Sequence, residues 1–233
     1  MHFNPIYEND VLKFNTPLSE SFSPYDYNGG TVVAIAGADY AVIASDTRLS
    51  SERIIYTREQ SKLFQLSEKS IIGFSGCWCD VLTFTRLLES HLQHYRLQNN
   101  KIMSTIAIAQ ATSTMLYYKR FFPFSMQTVL AGLDSDGTGC VFGYDPLGHY
   151  ERCNSQSLGS GGRFIRPFFD NWISSESRSC AHIASMELDD AITIIKDAYI
   201  SVAERDIYTG DNVEIKIITQ EGINGDTFKL RKD

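Results

Sequence analysis

Apolar and polar positions alternate in blocks that predict the elements one by one. Residues 31–36 and 40–45 are two β-branched, apolar runs broken by Gly37-Ala38-Asp39, which predicts a hairpin. Both runs are apolar at nearly every position, so both faces of the hairpin should be covered. Strands are predicted at 62–66 and at 70–75, the second ending on Gly76. From 80 to 98 the period changes to three and four: Val81, Leu82, Phe84, Leu87, Leu88, His91, Leu92 and Tyr95 fall on one helical side, with Asp80 as the N-cap. A second helix, about 103–118, should bury Ile106, Ala109, Gln110, Ser113 and Leu116 or Tyr117, and Pro123 closes this helical block. Strands at 125–133, 139–144 and 149–153 follow, separated by Asp134-Ser135-Asp136-Gly137 and by Asp145-Pro146-Leu147-Gly148. A Gly-rich corner at 157–162 leads to a short helix at 163–171, and residues 173–186 are polar and irregular. A long amphipathic helix at 188–205 turns Ala191, Ile194, Ile195, Ala198, Tyr199 and Val202 inward. Strands at 213–219 and 227–230 end the chain, with Gly222 and Gly225 in the turn between them.

Strands thus group apart from helices, which is an α+β order and not a βαβ rhythm. Two antiparallel sheets packed on each other, with helices outside both, would cover the two-faced strands. No repeat or low-complexity tract interrupts this order. Residues 1–27 differ in kind: Asn4-Pro5, Thr16-Pro17 and Ser23-Pro24 with Ser, Glu and Asn between them predict an extended arm or removable segment.

Composition narrows the function classes. At 233 residues and 43% hydrophobic content, the chain suits one domain with a full core. Its longest apolar runs fall far short of the roughly 20 residues of a membrane span, and its first residues lack the basic-then-apolar order of a secretory signal. The net charge of −7 and the absence of a basic stripe argue against nucleic acid. Five cysteines at irregular spacing (Cys77, Cys79, Cys140, Cys153, Cys180) predict reduced, half-buried thiols. The histidines His91, His94, His149 and His182 form no ligand spacing, 159–162 lacks a phosphate-loop signature, and Asp134/Asp136 with Gly137 is a turn and not a calcium loop.

One junction suggests chemistry. Asn28-Gly29-Gly30-Thr31 sets a threonine behind glycines at the head of a strand, the arrangement of a cut that frees a nucleophile. Here the sequence resembles a family. TVVAIAGADYAVIASDTR, ending on Asp46-Thr47-Arg48, looks like the opening hairpin of β-type subunits of the 20S proteasome. The resemblance runs through Lys62, SGCWCD at 75–80, RFFPF at 120–124, AGLDSDGTG at 131–139, YDPLGHYER at 144–152 and AERDIYTGD at 203–211, covering about residues 21–233. FSPYDYNGGT, KRFFPF, FGYDPLGHYER and the terminal LRKD are most similar to the non-catalytic class at the sixth position of the β ring.

The resemblance implies a four-layer αββα sandwich, the N-terminal-nucleophile hydrolase fold. It implies a pro-segment at 1–20, trimmed near 21–23, then an arm at 21–29 and a single domain at 30–233. In active members a threonine freed by self-cleavage attacks the peptide carbonyl, and its α-amine, with a reference pKa near 8, or a water near it, accepts the proton. A lysine, an orienting aspartate and a Ser/Asp/Ser group support it. Asp46 matches the orienting aspartate, Lys62 the lysine, Asp206 the aspartate after the last long helix and Ser160 the corner serine, while Thr209 stands where active members carry serine. Counting back from Asp46 and from Lys62 by the family's spacing lands on Gly30 both times, not on Thr31. A one-residue shift turns a strand side chain to the other face, so Thr31 should point away from Asp46 and Lys62.

The site reads as vestigial, held for its buried charges. The chain reads as a non-catalytic subunit that supports assembly and the chamber for ATP/ubiquitin-dependent degradation. Its implied partners are the other α and β subunits of a 28-subunit stack, with regulatory particles bound through the α rings, in cytoplasm and nucleus. No cofactor is implied as required. A structural Mg²⁺ is implied at the Asp206–Thr209 turn, completed by Asp233 of a neighbour. The rival readings are an active threonine endopeptidase using Thr31, an α-type subunit, and a free-standing hydrolase of the same fold.

Overall fold

Successive positions of the first strand point into two different cores, and this sets the layering. In β1 (Thr31–Ala36), Val32, Ala34 and Ala36 face one core while Val33 and Ile35 face another. β2 (Ala41–Asp46) divides in the same way, with Ala41 and Ile43 against Val42 and Ala44, and every residue of both strands is buried. This is what the two unbroken apolar runs demand. The computed structural model describes residues 25–171 and 186–231.

β1 and β2 are the centre of a five-stranded antiparallel sheet in the order β10-β1-β2-β11-β12, completed by β10 (Ser155–Gly159), β11 (Asn212–Thr219) and β12 (Gly222–Lys229). A second sheet is a plain meander of β5 (Leu63–Ser67), β6 (Ser70–Gly76), β7 (Met126–Leu133), β8 (Gly139–Tyr144) and β9 (Tyr150–Cys153). The sheets meet face to face through a layer that includes Val32, Ala34, Ile43, Ile71, Val129, Ala131 and Val141. Helices α1 (Trp78–Asn99) and α2 (Thr105–Tyr118) cover the outer face of the meander through Phe74, Phe84, Leu88, Ile108 and Leu116. Helices α3 (Gly162–Phe169) and α4 (Leu188–Ala203) cover the outer face of the first sheet through Ile165, Phe169, Ile195 and Tyr199. The four layers are helices, sheet, sheet, helices, as expected.

Several local expectations need correction. α1 begins at Trp78, and its N-cap is Cys77 without a side-chain bond; the Asp80 carboxylate instead accepts the Ser125 N–H at 2.7 Å, tying α1 to the start of β7. α2 buries Thr105, Ile108, Ala109, Thr112 and Leu116, leaving Ile106 44% and Tyr117 57% exposed. Thr105 and Thr112 lie on the buried side while Ile106, Tyr117 and Tyr118 lie outside, so the apolar period alone does not choose the face. A short hairpin, β3 (Leu49–Ser51) with β4 (Ile54–Thr57), and strand β10 were not expected; both are polar or largely exposed segments whose pairing comes from a neighbouring backbone. β12 starts at Gly222, and Gly225 lies within it opposite Lys216, so the turn is only Gln220-Glu221. Residues 1–24, the irregular 172–185 and the terminal Lys232 and Asp233 lie outside the described residues. Of the cysteines, Cys77 and Cys140 are buried and Cys79 is exposed rather than half-buried, and all three are free thiols like Cys153. Burial pushes the Cys140 and Cys153 thiols up to about 11, which keeps them protonated and unreactive at neutral pH.

Candidate functional site

The site forms where the head of β1, the ends of β2 and β10, the chain before β5 and the turn after α4 converge. Strand parity decides what each residue at the head of β1 can touch. Gly30 falls in step with Val32, on the side of the second sheet, and Thr31 in step with Val33, on the side of α4. A Cβ on Gly30 would lie 2.5 Å from both Cε and Nζ of Lys62 and 2.9 Å from Asp46 Oδ1. Gly30 adopts φ +85°, a left-handed conformation that side-chain-bearing residues rarely take. Gly30 therefore occupies the seat beside the lysine, as the spacing implied.

Lys62 is fixed in that seat. Its ammonium donates to Asp46 O at 2.9 Å, Asp46 Oδ1 at 3.0 Å and Arg48 O at 2.7 Å, so all three protons are placed. Lys62 is 1% exposed and Asp46 fully buried. Burial pushes the Asp46 carboxyl up and the Lys62 ammonium down, while the attraction between them opposes both shifts. Thr31 contributes only its amide here: N–H donates to Asp46 Oδ1 at 2.7 Å.

The Thr31 hydroxyl faces the opposite way, into a directed chain. Gly161 N–H donates to Thr31 Oγ1 at 3.0 Å, and Thr31 Oγ1 lies 2.7 Å from Thr209 Oγ1. Thr209 Oγ1 donates to Asp206 Oδ2 at 2.6 Å, so its proton is committed and the Thr31 hydroxyl must donate to Thr209. Ser160 Oγ donates to the same carboxylate oxygen at 2.6 Å, and Ser160 N–H holds Gly30 O at 3.1 Å. The structure thus brings Gly30, Thr31, Asp46, Lys62, Ser160, Asp206 and Thr209 together as two groups on opposite sides of the β1 backbone. Lys62 and Asp46 face a glycine, and the Ser160–Asp206–Thr209 group holds the Thr31 hydroxyl, whose proton is engaged in a hydrogen bond to Thr209. While Thr31 is joined to Gly30, its nitrogen is an amide and cannot act as a base.

Residues not singled out by spacing also build the site. Tyr199 OH lies within hydrogen-bond distance of Thr31 O (2.9 Å) and Ala44 O (3.0 Å), and burial raises it well above the ordinary phenol value. It entered the sequence reading only as an apolar helix position. Arg48 donates from Nε to Asp211 Oδ2 at 2.8 Å and from Nη1 to Ile207 O at 2.8 Å, and Arg58 also binds Asp211. Burial pushes the Asp211 carboxyl up, but the hydrogen bonds and charges of Arg48 and Arg58 outweigh it and hold it below its usual value. A group so depressed stabilises the fold above its unfolded pKa and stops doing so as pH falls through the lower folded value. Unfolding measured between pH 6 and pH 2 should therefore show an acid limb, starting below about pH 4, that is smaller in Asp211→Asn.

In the described part of the Asp206–Thr209 turn, where a structural cation is expected at the backbone carbonyls, two groups have protein partners. The Ile207 carbonyl already accepts a guanidinium, and the Asp206 carboxylate receives Ser160, Thr209 and the Tyr208 N–H. Asp233 lies outside the described residues. No cluster of three metal-ligating side chains occurs among the described residues; His91 and His94 line one cavity between α1 and α2, and His149 is exposed elsewhere.

Comparison with known proteins gives consistent results. A family model described as "Proteasome subunit" matches residues 27–218. The chain is 45% identical over 214 residues to "Proteasome subunit beta type-1" of Drosophila melanogaster, covering 91% of each. It is 46% identical over 222 residues to the protein of that name from Petunia hybrida, covering 94% of this chain and 100% of the relative. It is 32% identical over 228 residues to "Proteasome subunit beta type-6" of Saccharomyces cerevisiae, covering 94% of this chain and 95% of the relative.

Proposed function

Since this chain belongs to the proteasome subunit family, we propose that it is a β-type structural subunit of the 20S core particle, without peptidase activity of its own. It fills one seat of a seven-membered β ring, holds catalytic neighbours in place, and helps wall the chamber in which proteins are degraded. The observation that carries the silent-site reading is Gly30 in the seat beside Lys62: the position that needs a hydroxyl has no side chain. Thr31 does not substitute for it, because its hydroxyl lies across the strand from Lys62 and donates to Thr209.

The other parts of the reading extend that membership to the assembly and its setting. The partners are the α and β subunits of a stack with two α and two β rings, and regulatory particles reach it through the α rings. The particle works in cytoplasm and nucleus, and this subunit needs no cofactor. Residues 1–20 are removed during assembly, residues 21–29 stay attached as an arm, and 30–233 form the domain.

The test is made on assembled particles. Mass measurement of this subunit should give an N-terminus near 21–23, and an epoxyketone probe should label other β subunits and not this one. A mature chain beginning at Thr31, or covalent labelling at Thr31, would establish the active endopeptidase instead.

A further inference from the structure

The chain contains two Asn-Gly steps, Asn28-Gly29 and Asn224-Gly225. Such a step is chemically vulnerable, because the glycine carries no Cβ to shield the backbone nitrogen that follows the carboxamide. The fold treats the two steps differently. Asn28 is 6% exposed and held at each of its polar groups. Its N–H donates to Gly76 O at 3.2 Å, and its carbonyl accepts the Ser50 N–H at 3.3 Å. Its Nδ2 donates to Ser50 O at 3.3 Å, and its Oδ1 accepts the Trp78 N–H at 2.8 Å.

Asn224 lies in β12, the last strand of its sheet, so one side of its backbone is unpaired. Strand parity says which groups face that side. Leu230 N–H donates to Asp211 O at 2.9 Å, and bonded and non-bonded pairs alternate along an antiparallel ladder. The bonded pairs are therefore Val213–Phe228, Ile215–Asp226, Ile217–Asn224 and Thr219–Gly222. Gly225, opposite Lys216, falls in a non-bonded pair, and its N–H points away from β11 toward the open edge. Residues 224–227 are exposed, and among the described residues no hydrogen bond holds the Asn224 carboxamide.

We propose that Asn224 is a site of spontaneous deamidation, while the fold protects the same step at Asn28. The Gly225 nitrogen gives its proton to water and bonds to Asn224 Cγ. The Cγ–Nδ2 bond breaks, and Nδ2 takes up a proton and leaves as ammonia. One water then opens the cyclic imide at either carbonyl, giving aspartate or isoaspartate. Water is the sole co-reactant, and nothing is oxidised or reduced. Bringing the nitrogen to Cγ gives up one bond of the outer ladder, a local opening that costs far less than global unfolding. A glycine inside the strand weakens that ladder further. The new carboxylate stands two residues from Asp226, which pairs with Lys196 at 3.4 Å. Isoaspartate also adds a backbone carbon, which breaks the alternation of the edge strand. None of this depends on whether the subunit is catalytic.

The test uses assembled particles incubated at pH 8, then digested, with isoaspartate counted by a protein-isoaspartate methyltransferase and aspartate by peptide mass. The peptide with Asn224 should deamidate at least tenfold faster than the peptide with Asn28. In denaturant the two rates should agree within threefold, which assigns the difference to the fold. Asn224→Gln should remove the methyltransferase signal from that peptide. Hydrogen exchange at Gly225 should be at least tenfold faster than at Asn224. Equal native rates at the two steps, or a native rate at Asn224 a hundredfold below its rate in denaturant, would overturn the proposal.

Discussion

A Gly30→Ala variant is expected to lose about 3 kcal/mol of stability, from the summed cost of a strained backbone and an overfilled seat, each roughly 1–3 kcal/mol. The backbone cost arises because φ is +85°. The packing cost arises because the new methyl would sit 2.5 Å from Lys62 Cε and Nζ. A flexible lysine could usually step aside, but this one donates to three fixed acceptors and is 1% exposed. For a domain of this size each kcal/mol moves the melting temperature by about 2–4 °C, so thermal unfolding of the folded chain should show a drop on the order of 10 °C. A change under about 0.5 kcal/mol, the usual size for unremarkable surface substitutions, would mean that the seat is roomier than described and that glycine there is incidental.

The second large effect concerns the lysine itself. Lys62→Met leaves the fully buried Asp46 carboxylate with backbone amides alone, those of Thr31 and Gly210, and strips the Asp46 and Arg48 carbonyls of their donor. Removing one partner of a buried pair costs about 3–5 kcal/mol, while replacing both by uncharged groups costs much less. The double variant Asp46→Asn/Lys62→Met should therefore be more stable than Lys62→Met alone, a sign that chemical denaturation of the four members of the cycle would read directly. pH gives an independent check. Burial already pushes Asp46 up, and without Lys62 the largest opposing influence is gone, leaving the Thr31 and Gly210 amides to oppose it. A carboxyl raised in the folded state stabilises while protonated, below its unfolded pKa of about 4, and that contribution is lost as pH rises through the folded value. Lys62→Met should thus fall further behind the wild type at pH 8 than at pH 5. This is the reverse of the Asp211 acid limb, and a deficit that shrinks with rising pH would contradict it.

The side on which Gly30 and Thr31 lie was legible because a strand has a period of two, so a count from Asp46 and Lys62 fixes parity without coordinates. The layered order was legible for a similar reason: runs with no polar face, such as 31–36, must be covered twice. Other parts depend on proximity that no local pattern encodes. Ser155–Gly159 reads as a polar corner, yet its backbone pairs with β1 from Thr31 to Ile35. Asp80 has the right position and chemistry for a cap, but Ser125 is 45 residues away in the chain and claims it. Asn28 sits in a tract that reads as linker, and its role appears only when Ser50 and Gly76 stand on either side of it. Tyr199 fits the apolar stripe of α4, and its hydroxyl matters only because Thr31 and Ala44 present carbonyls at the end of that stripe.

The order of strands in the first sheet has a consequence for synthesis of the chain from its N-terminus. The meander is contiguous from Leu63 to Cys153 and can close as soon as that stretch has emerged. The earlier hairpin cannot, because β2 pairs with β11 and Asp46 finds Val213 opposite it. At about 5–20 residues per second, that partner is made on the order of ten seconds after β2. For that interval Val33, Ile35, Val42 and Ala44 stand without the α4 residues that later cover them. The β1–β2 hairpin therefore leaves the ribosome early and is enclosed late, and its β-branched faces are the surface that a holding chaperone would meet on the nascent chain.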